Sequence, residues 1–192
     1  IIGQTWYNST SKDLKYASVT TAGAWATGNS MGTARYGIGG AGTQTAALAF
    51  GGNYSPSTGA TEAYNGTSWT SGGTMGTARI LLAGCGTQTA GLGFGGYDTA
   101  LTAATEEYNG TSWATSPPGL NTARQALAGA GTQTSALAFG GSGPTGATEE
   151  YDGSSWTSNP TGLNTARNNL AGAGTQTAAL AFGGSGASAA TE

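Results

Sequence analysis

Arginine and glutamate recur in this chain at fixed intervals. Each of its four arginines follows a Thr-Ala pair, at steps of 44, 45 and 43 residues (Arg35, Arg79, Arg124 and Arg167). Glutamate returns with nearly the same steps (Glu62, Glu106, Glu149 and Glu192). These charges could line a channel and bind an anion, or each arginine could form one structural bond per repeat to a carboxylate or a carbonyl. Their presence in every repeat favours the structural role.

Candidate catalytic groups are few. Adjacent glutamates occur at Glu106-Glu107 and Glu149-Glu150. Neighbouring strand residues point to opposite faces, so such a pair cannot flank one glycosidic bond. Cys85, the only cysteine, stands where other repeats have alanine (Ala41, Ala130 and Ala173), which indicates a small core residue rather than a reactive thiol. Histidine, the commonest general base and metal ligand, is absent. We therefore expect no enzyme activity, no cofactor and no metal.

Composition narrows the class of partner. Charged residues make up 8% of the chain and the formal net charge is −3, which provides too little positive charge to grip a phosphate backbone. The longest apolar runs, such as Ala46–Phe50, are far shorter than a membrane span. Neither nucleic-acid binding nor membrane insertion is expected. The start, Ile1–Gln4, has no initiator Met and no export-signal pattern, so we expect a processed product or a piece of something longer.

The same spacing extends to the aromatic and glycine residues, so the chain is a repeat protein. Phe-Gly-Gly begins at four matching places (Phe50, Phe94, Phe139 and Phe182). Tryptophan returns at four more (Trp25, Trp69, Trp113 and Trp156). We predict that these tryptophans, like the repeated arginines and glutamates, are structural positions of each repeat.

Within one repeat the pattern is β. Residues 135–139 alternate small and large side chains, which places Leu137 and Phe139 on one face of a strand. Thr132–Thr134 is interpreted as the turn of a hairpin, and Asp152-Gly153 as a turn after a third strand. Trp156 opens a fourth strand. Four short strands per repeat predict an all-β fold built from the blades of a β-propeller.

One family resemblance is carried by Phe50-Gly51-Gly52, Tyr64, Trp69 and their counterparts in later repeats. The order of arginine, a strand of small residues, an apolar strand ending in Gly-Gly, and then Tyr, a turn and Trp resembles the kelch repeat over residues 25–192. This resemblance implies a propeller of four-stranded blades, here with about four repeats of roughly 44 residues. Alanine and glycine replace much of the valine and isoleucine of kelch blades, so the number of blades is open.

The chain divides into residues 1–17, which precede the repeats, and residues 18–192, the predicted propeller. Gly3–Tyr16 contains Trp-Tyr-Asn-Ser-Thr, a turn and Leu-Lys-Tyr, and resembles a hairpin of phage tail-fibre and virion proteins. Ser18 and Glu192 are a whole number of repeats apart. Two explanations stay open: Val19–Trp25 finishes the blade begun by Phe182–Glu192 and closes a ring, or the chain is part of a longer array.

The repeats differ most in the loops after Gly-Gly, where a binding site is expected because the shared positions build the scaffold. Three loop residues, Tyr54, Tyr97 and Asp98, suit stacking on or hydrogen bonding to a sugar, although solvated turns are the favoured explanation of these loops. Asn-x-Ser/Thr triplets suggest N-glycosylation, but they also arise by chance in a Ser/Thr-rich chain (Asn8, Asn53, Asn65 and Asn109).

The resemblances imply a structural and adhesive component of a phage tail fibre or virion appendage, located on the virion or an extracellular surface. Its partners would be other fibre subunits, including copies of itself, and a host-surface glycan. The alternative is a protomer of an extracellular filament, in which the unfinished sheet at Glu192 is completed by the N-terminal strand of the next copy. A kelch-type oxidase ranks third, because copper chemistry without histidine ligands is hard to build.

Overall fold

The computed structural model describes residues 5–8, 13–16, 27–53, 56–116, 118–143, 145–185 and 191–192. Every regular element in these ranges is a β-strand, so the predicted all-β class is confirmed. Within the same ranges there is no helix long and apolar enough to cross a membrane.

Two short strands precede the repeats. β1 (Thr5–Asn8) and β2 (Asp13–Tyr16) are antiparallel, with Thr5 opposite Tyr16 and Asn8 opposite Asp13. They form a sheet of their own and pair with no other described strand.

Four repeat units come next in the chain, each an antiparallel sheet. The first unit contains β3 (Gly39–Thr43), β4 (Ala46–Phe50), β5 (Thr61–Tyr64) and β6 (Trp69–Ser71). The second contains β7 (Ala83–Gly86), β8 (Gly91–Phe94), a small hairpin of β9 (Tyr97–Asp98) and β10 (Ala100–Leu101), β11 (Thr105–Tyr108) and β12 (Trp113–Thr115). The third contains β13 (Ala128–Thr132), β14 (Ser135–Phe139), β15 (Thr148–Tyr151) and β16 (Trp156–Asn159). The fourth contains β17 (Ala171–Gly174) and β18 (Ala179–Phe182), with a bridge from Phe182 to Thr191 where a third strand begins.

The first three units confirm the predicted repeat of four strands, which lie side by side in chain order. The hairpin turn predicted around Gln133 is also present, with Thr132 opposite Ser135. The alternation along β14 does not separate an inner from an outer face, however. Ala136 and Ala138 are completely buried while Leu137 is half-buried, because neighbouring units cover both faces of the sheet.

Close packing between units depends on one glycine in each first strand. A Cβ at Gly84 would lie 2.4 Å from the Phe50 ring and 2.7 Å from the Gly40 carbonyl oxygen of the unit before. Gly129 stands in the same relation to the Phe94 ring, and Gly172 to the Phe139 ring, each at 2.6 Å. Each buried phenylalanine is thus covered by the backbone of the next unit.

A ladder of backbone hydrogen bonds also joins the units. The N–H of Leu81 donates to the carbonyl of Gly37 (2.7 Å), that of Ala126 to Leu81 (2.8 Å), and that of Asn169 to Ala126 (2.8 Å). All four residues have φ between 52° and 64°, a strained conformation for a side chain-bearing residue. The strain is retained where a backbone bond links one unit to the next.

The four units do not close into a ring within the described residues. Successive first strands pack together, whereas β3 and β17 do not pack on one another in the same way. The two ends of the ladder, the N–H of Gly37 and the carbonyl of Asn169, are likewise not bonded to each other. The sheets are consistent with the blades of a propeller-like repeat fold, and we call the series of four units, taken in chain order, the row.

We predict that Gly84→Ala destabilises the dilute protein while Gly40→Ala does not. The added methyl at Gly84 meets a backbone oxygen and a buried ring, and overpacking of this kind costs about 1–3 kcal/mol. Gly40 occupies the equivalent position of the first unit, where a Cβ would come no closer than 3.7 Å to the Leu48 carbonyl. Urea unfolding followed by tryptophan fluorescence measures both. Equal effects of the two substitutions would contradict this account of the packing.

Candidate functional site

In the second unit, the repeated arginine and glutamate form a buried ion pair. Arg79 is fully buried and its Nη1 bonds the Glu106 carboxylate. Its Nε donates to the Gly95 carbonyl (2.9 Å) and its Nη2 to Gly93 (3.2 Å). Glu106 also accepts from the backbone N–H of Gly76 at 2.6 Å. Burial lowers the pKa of Arg79, and the hydrogen bond and charge of Glu106 oppose that shift.

The other three units repeat the ion pair, but not the Nε bond, for which Arg35, Arg124 and Arg167 have no partner among the described residues. Arg35 pairs with Glu62 (2.7 Å), Arg124 with Glu149, and Arg167 with Glu192 (3.1 Å). In each unit the carboxylate accepts a backbone N–H from the segment that enters that unit (Gly32, Gly76, Asn121 and Asn164). The pair therefore fastens the connection between units to the third strand.

This geometry leaves the guanidinium groups little capacity to bind an anion. All four arginine side chains are 0–2% exposed and already hold a carboxylate. Burial opposes ionisation of Glu192, but the N–H groups of Asn164 and Thr165 and the charge of Arg167 outweigh it and lower its pKa. The charges are therefore placed as scaffold contacts within each unit.

The repeated tryptophan reaches across to the unit before it. Trp113 of the second unit packs on Phe50 of the first, with ring centroids 4.8 Å apart, and its Nε1 donates to Thr61 Oγ1 at 2.8 Å. Trp156 repeats both contacts on Phe94 (4.9 Å) and Thr105 (2.9 Å). A phenylalanine and a threonine thus form a tryptophan slot, which the next unit fills.

Glutamine and tyrosine complete the same junction. Gln133 Nε2 donates to the carbonyls of Gly91 (3.0 Å) and Tyr108 (2.8 Å) in the unit before, and Gln88 and Gln176 make equivalent bonds. Tyr151 bonds Glu107 across the junction (2.7 Å). Burial raises its pKa to about 12, so the hydroxyl remains protonated. The sequence alone predicts these glutamines only as residues of the hairpin turns. The sign of a further role is that glutamine recurs in a Thr-Gln-Thr motif in every unit.

The junction residues are exposed at the two ends of the row. On the first unit, Tyr36 is 60% and Ile38 37% exposed, whereas the equivalents of Ile38 are buried (Leu82, Leu127 and Leu170). On the fourth unit, Leu180 is 45% and Phe182 39% exposed, whereas Phe50, Phe94 and Phe139 are buried. We call these surfaces the front face (first unit) and the back face (fourth unit). Each carries one half of the contact set found between units.

A cavity of about 500 Å³ lies between the third and fourth units. Its lining includes Phe139 and Thr148 of the third unit and Ala179, Ala181 and Glu192 of the fourth. Phe139 and Thr148 are the repeat equivalents of Phe50 and Thr61, so the cavity is the third tryptophan slot. No described side chain fills it.

The remaining predicted site residues are not among those that line the third slot. Tyr97 is half-buried and its backbone pairs with Ile80 (2.9 and 2.8 Å), with Asp98 beside it in the β9–β10 hairpin. Tyr54, Trp25 and the side chain of Asn8 lie outside the described residues. Trp69 is half-buried against Tyr64 of its own unit, with centroids 5.0 Å apart.

The candidate glycosylation asparagines and the cysteine occupy positions that the fold itself explains. Asn65 and Asn109 accept backbone N–H bonds within their turns, and Asn53 has φ 64° after Gly-Gly. Cys85 is buried, and burial raises its pKa to about 12, which keeps it as the unreactive thiol at neutral pH. No group of three or more potential metal-binding side chains is found among the described residues.

We predict that Glu106→Gln destabilises the fold by about 3–5 kcal/mol, because it leaves the buried Arg79 charge unpaired. Glu150→Gln is the matched control: that carboxylate is exposed, and its loss is expected to change stability by less than about 0.5 kcal/mol. Urea unfolding followed by circular dichroism measures both. A small effect of the Glu106 substitution would show that the pair does not support the fold.

We predict that Asp152→Asn reduces the acid sensitivity of the protein. The Ser154 hydroxyl and the Ser155 and Ser154 N–H groups lower the pKa of Asp152 from 3.8 to about 2. These bonds favour the folded state above about pH 4, and this contribution is lost as pH falls through 2. Asparagine fills the same turn position in the first two units, so little change is expected at pH 7. Melting temperatures at pH 7 and pH 2 test this; an unchanged pH dependence in the variant would refute it.

Comparison with known proteins assigns no family: no protein-family model matches the chain, and no curated protein matches it significantly in sequence. A function for this chain therefore has to be inferred from the geometry of the junctions between its units.

Proposed function

We propose that this protein is a non-enzymatic structural subunit whose copies join end to end, front face on back face, into a fibre on an extracellular surface or a virion. One observation carries the proposal: the front and back faces expose the two complementary halves of the junction that holds successive units together. Contacts of this head-to-tail kind build open filaments when the rotation between copies does not close a ring.

The back face offers open space at a position where a leucine of the next unit packs in each of the three internal junctions. A Cβ at Gly51, Gly95 or Gly140 would meet a leucine of the next unit within about 3 Å (Leu82, Leu127 and Leu170). The equivalent residue of the fourth unit is Gly183, and no atom of the described residues lies within 4 Å of a Cβ built there. Ile38 of a second copy has the repeat position that would fill this space.

The front face supplies the matching polar groups. Gln44 is exposed there and corresponds to the glutamines that bond backbone carbonyls of the preceding unit. Among the described residues, the N–H of Gly37 is the donor end of the backbone ladder and the carbonyl of Asn169 its acceptor end. Docking of two copies would continue the ladder and the glutamine bonds without a new type of contact.

The finer features of the fold belong to the same proposal. We interpret each unit as a kelch-like propeller blade, and the row as an open array whose neighbours come from other copies. The resemblance of Gly3–Tyr16 to tail-fibre and virion segments supports a fibre on a virion or another extracellular surface.

Glycan binding is a secondary part of the proposal. The β9–β10 hairpin occurs in the second unit alone among the described units and exposes Leu101 beside Tyr97 and Asp98. A surface loop that departs from the repeat is the expected place for ligand recognition.

We predict that the 192-residue chain forms concentration-dependent linear oligomers, and that Gly40→Val and Phe182→Asp each prevent them. Valine at Gly40 would obstruct the approach of the partner's Phe182 ring while leaving the monomer intact, since Gly40 is exposed. Phe182→Asp places a charge in the junction. Sedimentation velocity and negative-stain microscopy measure the oligomers, and Leu101→Asp, an exposed site away from both faces, is the control.

A mixture of the two variants provides the decisive result. Each retains one intact face, so the mixture should form dimers and nothing longer, while neither variant associates alone. A chain that remains monomeric at all concentrations, or a mixture that forms no dimer, would overturn the proposed assembly.

A further inference from the structure

The cavity between the third and fourth units has the chemistry of an unfilled tryptophan slot. In the two filled slots, the indole packs on a phenylalanine and donates its N–H to a threonine hydroxyl. Phe139 and Thr148 are buried, as those residues are. The Thr148 hydroxyl itself donates to the Gly146 carbonyl at 3.4 Å, which leaves its oxygen able to accept an indole N–H.

The start of the first unit indicates which tryptophan belongs there. A Cβ at Gly28 would lie 3.4 Å from the Tyr64 hydroxyl, and one at Gly72 would lie 2.8 Å from the Tyr108 hydroxyl. The segment entering the first unit therefore follows the same path as the segment entering the second. Trp69 precedes Gly72 by three residues, and Trp25 precedes Gly28 by three. By this relation, Trp25 belongs to the unit that lies in front of the first.

The unit in front of the first is supplied by the back of another copy when copies join end to end. The fourth unit has β17, β18 and the start of a third strand at Thr191, and the repeat phase after Glu192 continues at Val19. Among the described strands, β3 and β17 are not packed as neighbours in the way that successive first strands are, so in the proposed assembly a second copy supplies this unit.

We propose that the slot formed by Phe139, Thr148 and Ala179 binds the indole of Trp25 from a second copy, whose residues 19–25 complete the fourth sheet. The inference rests on the proposed end-to-end assembly. To that assembly the inference adds a strand donated by the neighbouring copy and held by one side chain. The Trp25 indole packs on Phe139, and its N–H donates to Thr148 Oγ1. Strand addition to an unfinished sheet gains affinity from backbone bonds and selectivity from the side-chain pocket.

The test measures association of full-length variants by sedimentation. Trp25→Ala should weaken association at least about thirtyfold, as expected of a buried aromatic anchor. Trp25→Phe and Thr148→Val should each weaken it roughly threefold to tenfold, the range for one hydrogen bond. The double variant should be no weaker than the worse single variant, because both substitutions remove the same bond. Thr61→Val, which alters an internal slot, should leave association unchanged.

Fluorine NMR of 5-fluorotryptophan-labelled protein, with the Trp25 resonance assigned through Trp25→Phe, separates the remaining outcomes. A Trp25 signal that shifts only on association, and not in Thr148→Val, supports the proposal. Association unaffected by Trp25→Ala would overturn the slot while the assembly stands. Two results in a chain that stays monomeric at all concentrations would overturn both proposals. The first is a Trp25 signal that changes in Thr148→Val, which would place the indole in the slot of its own chain. The second is a solvent-exposed Trp25, which would leave the slot empty.

Discussion

The fold depends on contacts in which each unit covers a large apolar side chain of the unit before it. Each unit places a phenylalanine on one face of its sheet but lacks the residues to cover it. The next unit covers this ring with the backbone of a glycine in its own first strand and with a tryptophan. The indole N–H of that tryptophan donates to a threonine of the unit that carries the phenylalanine. Stability therefore resides in the junctions as much as in the sheets, as expected for repeat proteins with nearest-neighbour interactions.

The buried ion pairs serve a different purpose from the junctions. A buried pair gains little over a well-packed apolar pair, because desolvating both charges offsets their attraction. In this protein the carboxylate also accepts backbone N–H groups of the entering segment. Fixing that segment sets the position of one unit relative to the last, which specifies the junction even where it adds little net stability.

The sequence was sufficient to predict the repeat, its strands and its hairpin turns, since these follow from residue type at a fixed period. It left open whether Arg79 would meet a carboxylate or a carbonyl, and the structure shows that it meets both. The left-handed ladder could not be predicted. Glycine, leucine, alanine and asparagine share its positions, so the conformation is imposed by the inter-unit bond rather than by any side chain. The tryptophan slot could not be predicted either. It forms between two neighbouring units, and its phenylalanine and tryptophan are 63 or 62 residues apart in sequence.

The composition of the end faces supports the proposed contact between copies. Proteins commonly protect exposed surfaces that could pair with another chain by placing charged residues there. The exposed large side chains of the two faces, Tyr36, Ile38, Leu180 and Phe182, are all uncharged. Large apolar side chains left uncovered on two uncharged, mutually complementary surfaces are most simply explained if each surface is covered by the other.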